Sequence, residues 1–380
     1  MKIGILTLPL HTNYGGILQA YALQTVLERM GHEVIVLNRD RNVYIPKHKQ
    51  LVSYVKYLIR KYCLWRNTSY KSPRKKNIER TEKEKYTSGF ISKHIHSLYY
   101  RSFDDVDFKM FDAIVVGSDQ VWSPIHGKNL CGSVINAFLP FTKDLKIKRI
   151  AYAASFGKDY WEYSEEETER AKLLIRSFDS ISVRENSGVE FCEKYLSAHA
   201  IQTLDPTLLL DSKDYISLIL STEIIHKKNS LLVYVIDNTK DKSYIVDYVA
   251  NSSNLIPNIV NSRAEDCSGK KFELKEMIQP PVELWLSGFM DASCIVTDSF
   301  HACVFSILFK KEFIAIGNQE RGLARFHNLL SSLGLEGRLV LDSSEVTDEL
   351  IHSKIDYKTV YEKLDKMRKH SMNFLTKSLS

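Results

Sequence analysis

Between Thr297 and His301 the chain places a threonine, an aspartate, a serine, a phenylalanine and a histidine where an apolar strand, Cys294-Ile295-Val296, gives way to a helical run, Ala302 to Phe309. Asp298 or Ser299 can cap that helix, so backbone N–H groups and the positive dipole end face whatever docks there, with His301 one turn in. This is the layout of an anion site, and a histidine adds proton exchange near neutral pH. The competing reading is a capped helix with a buried, hydrogen-bonded histidine. Other loops hold groups of matching chemistry. Arg184, Arg321 and Arg325 offer guanidinium forks, which bind carboxylate and phosphate oxygens bidentately, while Asp119, Glu185 and Asp298 offer carboxylates. Each of these also suits an interdomain or surface ion pair, so spacing alone names no substrate.

The elements that must position these groups alternate. Met1 to Leu8 reads as a first strand, followed by Asn13-Tyr14-Gly15-Gly16, a helical pattern that stops at Gly31, and a strand over Glu33 to Leu37. The paired glycines let a ligand approach backbone at a helix start, although neither GxGxxG nor the phosphate-loop pattern GxxxxGK[ST] is present. Apolar runs recur at Phe111 to Val116, Lys148 to Ala154 and Ser180 to Val183, each ending in small or polar residues, with helical patterns over Glu165 to Arg176 and Ser187 to Tyr195. Alternation of this kind implies a parallel sheet whose post-strand loops gather at one edge, which brings Asn13, Asp119, Ser155 and Arg184 together. The same pattern resumes after Asp211, with strands over Leu231 to Ile236, near Ile256 to Val260, and through the stretch around His301. The expected organisation is a first domain over 1–211 carrying a basic helical insert at about 41–110, a second over 212–345, and a helical tail over 346–380 that crosses back onto the first.

At 380 residues, 44% of them hydrophobic, two domains are the default. No stretch supplies the roughly 20 uncharged apolar residues of a membrane span, and the N-terminal apolar run is too short for a signal peptide. Six cysteines without CxxC spacing argue for reduced thiols rather than a disulfide frame or zinc site, and His94 and His96 lack partners at ligand spacing. No metal site is expected. Charge is uneven: Arg41 to Tyr86 holds fourteen Lys or Arg against three Glu, although the whole chain is only +6. Within it, Gln50 to Arg66 interleaves Leu51, Tyr54, Val55, Tyr57, Leu58, Tyr62 and Trp65 with Lys56, Arg60, Lys61 and Arg66, the makeup of an amphipathic helix. An anionic membrane surface, a phosphorylated acceptor and nucleic acid compete as partners. Nucleic acid ranks last because no accompanying motif is present, and a solvated helix pair is the structural alternative.

Seven segments, taken together, resemble the polysaccharide pyruvyl transferase family: Asn13-Tyr14-Gly15-Gly16 with Gln19-Ala20-Tyr21, Gly117 to Trp122, Ala151 to Gly157, Ser182 to Glu185, Asp205-Pro206-Thr207, Thr297 to His301, and Arg325 before Leu329-Leu330. The resemblance spans nearly the whole chain and lies in their order and spacing. It implies an α/β fold of two Rossmann-like domains facing a cleft (GT-B-like), phosphoenolpyruvate as donor, and a glycan acceptor in bacterial capsule, exopolysaccharide or cell-wall assembly. Ketal formation of this kind needs no redox cofactor. By the same resemblance His301 is the candidate general acid or phosphate partner and Asp119 the candidate base. Arg184, Ser299, Phe300, Arg321 and Arg325 join His301 on the donor side, while Asn13, Tyr14, Gly15, Gly16, Gln120 and Ser155 join Asp119 on the acceptor side. Some members carry an arginine two positions before the histidine, where this chain has Ser299; the serine and the helix N-terminus would then do part of its work through neutral hydrogen bonds. The expected enzyme is cytoplasmic and ketalises a hexose such as galactose on a polyprenyl-diphosphate-linked oligosaccharide, with the basic aromatic segment over residues 41–86 meeting either the acceptor's diphosphate or the inner membrane face. A nucleotide-sugar glycosyltransferase of the same architecture and a non-catalytic glycan-binding relative are the alternatives.

Overall fold

Apolar runs such as Ala113–Val116 can be buried on both faces only inside a parallel sheet covered by helices on each side. In the computed structural model, which describes residues 1–63, 70–220, 229–262, 272–317 and 322–380, two such sheets form. The first comprises β1 (Lys2–Leu6), β2 (Glu33–Arg39), β3 (Ser97–Tyr100), β4 (Ala113–Val116), β5 (Lys148–Ala154), β6 (Ser180–Val183) and β7 (Ile201–Gln202), in the order β3-β2-β1-β4-β5-β6-β7. The second comprises β8 (Ser230–Tyr234), β9 (Ile256–Ile259), β10 (Ala292–Thr297), β11 (Glu312–Ile316) and β12 (Leu339–Val340), in the order β12-β11-β10-β8-β9. Every adjacent pair is parallel. The result is a GT-B-like pair of Rossmann-like sheets.

Each sheet reverses its winding once, between β1 and β4 in the first and between β8 and β10 in the second. Open α/β sheets bind ligands where the order reverses, outside the strands' carboxyl ends. One hydrophobic cluster runs without a break from the first domain into the second through Tyr14, Tyr215, Trp285 and Phe305, so the seam beneath those reversals is packed like a core. Separate clusters line the far face of each sheet.

The basic segment folds as α2 (Lys47–Leu58) after α1 (Tyr14–Arg29), then α3 (Pro73–Lys83), whose start is capped by Ser72, and α4 (Lys85–His94). A helical insert reaching residue 110 is therefore corrected. The helices end at His94, and Ser97–Tyr100 pairs with β2 as the sheet's edge strand, too short to show an alternating pattern. At the far end the helix Tyr357–Leu379 lies back on the first domain, where Arg368 donates to the carbonyls of Leu208 (2.6 Å) and Leu210 (3.0 Å), and Ser371 accepts from the Leu204 N–H. Among the described residues no helix is long and apolar enough to cross a membrane.

Candidate active site

The chain leaves β1 through Pro9 to Thr12 and enters α1 at Asn13, whose Oδ1 accepts from the Gly16 N–H at 3.2 Å. Gln19, buried one turn in, donates to Thr7 Oγ1 and Gly16 O and accepts from the Ser118 N–H, tying this helix start to the loop after β4. On that loop Asp119 adopts a left-handed φ of 60°, a region that aspartate tolerates better than most residues. Its carbonyl accepts from the N–H groups of Val121 and Ser155.

Across the seam, the helix Phe300–Leu308 begins with Ser299 as cap residue but without a side-chain cap bond, so its first N–H groups keep their unscreened dipole end. His301 rests its imidazole against the α1 start: a Cβ placed on Gly15 would lie 2.0 Å from its Nδ1. Its Nε2 lies 3.6 Å from Asp205 Oδ2. Asp205 is the hub of a buried network. Oδ2 accepts from Arg184 Nη1 at 2.9 Å and lies 3.2 Å from Ser118 Oγ, while Oδ1 accepts from the N–H (3.0 Å) and hydroxyl (2.6 Å) of Thr207. Burial alone would raise its carboxyl, but His301, Arg184 and Thr207 outweigh that and hold it well below the carboxylate range.

Arg184 donates Nε to Glu185 Oε1 at 2.9 Å, and Ser155 Oγ donates to that same oxygen at 2.9 Å. Burial opposes the guanidinium charge, yet Glu185, Asp205 and Asp119 more than offset it. The Phe300 ring carries Arg184 at 4.6 Å and Arg325 at 5.9 Å, distances suited to cation–π attraction. With its amide oxygen turned inward, Gln120 accepts from Arg325 Nη1 (2.6 Å) and Nη2 (3.2 Å), while its nitrogen donates to His126 Nε2 at 3.1 Å. Arg184 Nη2 is buried without a hydrogen-bond partner, and His301 Nε2 is buried with the Asp205 carboxylate 3.6 Å away, beyond hydrogen-bond length. An unsatisfied buried N–H is unfavourable by about 1–3 kcal/mol, so the free edge of the Arg184 guanidinium suits an anionic ligand.

Beside this network a cavity of about 360 Å³ opens at the first sheet's reversal, lined by His11, Asn13, Gly16, Arg41, Asp119, Gln120, His126 and Asn129, with Ile236 contributed by the second domain. Burial first, then the charge of Arg41, pushes His11 down to about 3 against a smaller opposing pull from Asp119, so it is a neutral imidazole at physiological pH.

The family model for polysaccharide pyruvyl transferase matches residues 13–320, which takes in both switch-point loops and the His301 helix. The chain belongs to this family. No curated protein matches it. Among solved structures, UDP-N-acetylglucosamine 2-epimerase from Rickettsia bellii is similar at 11% identity and a TM-score of 0.49, with 99% of this chain and 96% of that one covered. The Arabidopsis thaliana protein UGT89C1 complexed with UDP-L-rhamnose is similar at 12% identity and 0.48, covering 97% and 99%. UDP-GlcNAc 2-epimerase from Neisseria meningitidis bound to UDP-GlcNAc follows at 10% and 0.46, covering 100% and 99%.

Within the pyruvyl transferase fold, the expected site residues separate by position. Asn13, Gly16, Asp119 and Gln120 line the cavity, while Arg184, Phe300, His301 and Arg325 form the network beside it with Gly15 against the imidazole. Tyr14 lines neither, and Ser155 supports the network from behind through Glu185. Tyr14 is fully buried, donates its hydroxyl to Pro280 O at 2.7 Å and stacks on Trp285, so it joins the domains instead of facing an acceptor. Replacing it by Phe should lower unfolding stability by about 1 kcal/mol and leave acceptor KM unchanged in a steady-state assay; a raised KM would return it to the site. Ser155 holds Glu185, and Asp298 is no cap: its carboxylate turns back to accept from the Ile236 and Asp237 N–H groups and Lys242 Nζ. Ser299 is nearly buried, its N–H donating to Thr297 Oγ1, and Arg321 lies outside the described residues.

Asp205 was readable as a turn residue before Pro206 and as part of one family segment but not as a site residue, and His11, Arg41 and His126 carried no signal as cavity residues. A lone carboxylate between Leu204 and Leu208-Leu209-Leu210 was the usable clue, because a buried charge needs partners. Asp205→Asn is expected to lower unfolding stability at pH 7 by about 3 kcal/mol. The wild-type carboxyl is depressed by folding, so its contribution is complete above pH about 4 and is lost on acidification below that. Urea unfolding at neutral and acid pH should therefore show the gap between the two proteins narrowing as pH falls; a constant gap would remove the charge from the account.

Proposed function

We propose that this protein transfers the pyruvyl group of phosphoenolpyruvate to a hexose of a lipid-linked oligosaccharide or polysaccharide, forming a cyclic ketal and releasing phosphate. The observation that carries the reading is the buried Arg184 Nη2, without a hydrogen-bond partner, set beside His301 and Arg325 at an uncapped helix start. A small, highly charged donor would supply the missing acceptor, and its carboxylate and phosphate need fixing as charge redistributes.

In this reaction His301 gives a proton to the donor's methylene carbon, which becomes a methyl group and leaves an oxocarbenium-like centre on the neighbouring carbon. A sugar hydroxyl bonds to that carbon and loses its proton to Asp119. The carbon–oxygen bond to phosphate breaks, inorganic phosphate departs, and a second sugar hydroxyl closes the ring on the same carbon, its proton returning to the His301 imidazole. Arg184 and Arg325 hold the donor's anionic groups, and the cavity bordered by Asn13, Asp119 and Gln120 takes the sugar.

Incubating the protein with phosphoenolpyruvate and a panel of lipid-linked acceptors tests this. Phosphate release that depends on acceptor, with the mass of a pyruvylidene group gained by the glycan, is the expected result. Binding of uridine diphosphate in place of phosphoenolpyruvate would favour a nucleotide-sugar transferase, and neither reaction nor donor binding would leave a glycan-binding protein.

A further inference from the structure

From Arg41 to Ile78 the chain has eleven Lys or Arg and no Asp or Glu. In the fold, five of the eleven lie on α2 and the turn that extends it to Cys63, where large apolar side chains stand in solvent: Leu51 is 66% exposed, Val52 52%, Val55 46%, Ile59 48% and Tyr62 65%. Leu51, Val52, Val55 and Ile59 recur at helical spacing and share one face. Lys49, Lys56 and Arg60, all exposed, recur on the neighbouring face. Behind the helix, Tyr54, Tyr57 and Tyr70 pack ring against ring at 5.1–6.0 Å, and Lys61 lies over Tyr57 and Tyr62, so the aliphatic face is directed away from its own support.

We infer that α2 is a docking surface for an anionic lipid bilayer. An exposed aliphatic and aromatic face flanked by cations, with no carboxylate to repel the surface, has the chemistry of a helix lying in the headgroup layer. A protein partner or a polyanion would need only part of it: the first does not require uninterrupted positive charge, and the second does not require exposed leucine and valine. Position agrees with the inference. Arg41, at the root of the segment, rims the site cavity, donates to Glu84 at 2.7 Å, and has its carbonyl bonded by Arg80, which fixes the helical arm at the cavity mouth. The inference stands on this surface alone and does not depend on which reaction the site performs.

Co-sedimentation of the full chain with vesicles tests it. Binding is expected to vesicles of phosphatidylcholine with phosphatidylglycerol, to weaken with added salt, and to be absent on phosphatidylcholine alone. Reversing Lys56, Arg60 and Lys61 to Glu should reduce the partition coefficient by about 100-fold or more. Replacing Leu51, Val52 and Val55 by Ser should reduce it by about tenfold or more. Both sets alter exposed side chains, so thermal unfolding should not change. No binding to anionic vesicles, or binding that the serine variant retains in full, overturns the inference, the latter assigning the patch to polyanions. Self-association abolished by the serine variant, without vesicle binding, overturns it in favour of a second copy of the chain.

Discussion

Gly15→Ala is expected to lower turnover about 100-fold, whereas Gly16→Ala, one residue along the same helix, is expected to leave it near wild type. An alanine methyl at 15 would stand 2.0, 2.4 and 2.6 Å from Nδ1, Cγ and Cε1 of His301, all within a ring wedged between Gly15 and Asp205. No rotamer of a methyl relieves such a contact. Either the imidazole or the helix start must shift by about 1 Å, and displacement of that size in a catalytic group forfeits about two orders of magnitude. At 16 the nearest atoms, Asn13 Nδ2 at 3.5 Å and Asp119 Oδ2 at 3.6 Å, are in ordinary contact. Overpacking at 15 should also lower stability by about 1–3 kcal/mol. The double variant Gly15→Ala/His301→Ala separates causes, because removing the ring leaves room for the methyl: its stability should return to that of His301→Ala alone. Turnover by Gly15→Ala equal to wild type would show that the imidazole has room to move.

The paired glycines show where sequence reading stops. Their presence at a helix start was legible and their need for close backbone approach was stated, but both were assigned to a ligand. In the structure one of them meets a histidine from the other domain, almost three hundred residues later, and no local pattern encodes that. The same limit governs Asp298. Its position makes it, with Ser299, one of two candidate caps, because aspartate and serine before a helix usually cap; Lys242 and two N–H groups in the loop after β8, about sixty residues earlier, compete for it and win. Fold class and family were legible because they rest on repetition: buried apolar runs alternating with amphipathic helices, and a series of loop motifs in fixed order. Edge strands β3, β7 and β12 have two to four residues each and offer no periodicity to read.

Charge arrangement links the two switch points. Arg184 spends two of its nitrogens on Glu185 and Asp205, and Ser155, Ser118 and Thr207 hold those carboxylates in turn. Two carboxylates thus stand against one guanidinium, while Arg325 and His301 complete the cluster from the second domain. The second domain brings the His301 imidazole to the Asp205 carboxylate of the first. Neither domain alone assembles this cluster; the packed seam through Tyr14 and Trp285 holds the halves in register.

His301→Ala should therefore lose about 10²–10⁴ in turnover while remaining folded. Asp205 keeps Arg184 and Thr207 as partners without the imidazole, so no buried charge is stranded, in contrast to the loss of Asp205 itself. If His301 supplies the proton, the residual activity of the variant has a pH profile different from that of the wild type. The space left beside Gly15 is bounded by the same atoms that held the ring, so added imidazole should restore part of the rate, which a purely structural role would not allow. Steady-state phosphate release across pH, with and without imidazole, gives all three readings. Turnover at the wild-type level with an unaltered pH profile would transfer the proton to another group, and His11 is unsuited to supply it: burial and Arg41 keep it neutral. The acid role thus rests on the histidine placed against Gly15 and Asp205, and this one variant decides it.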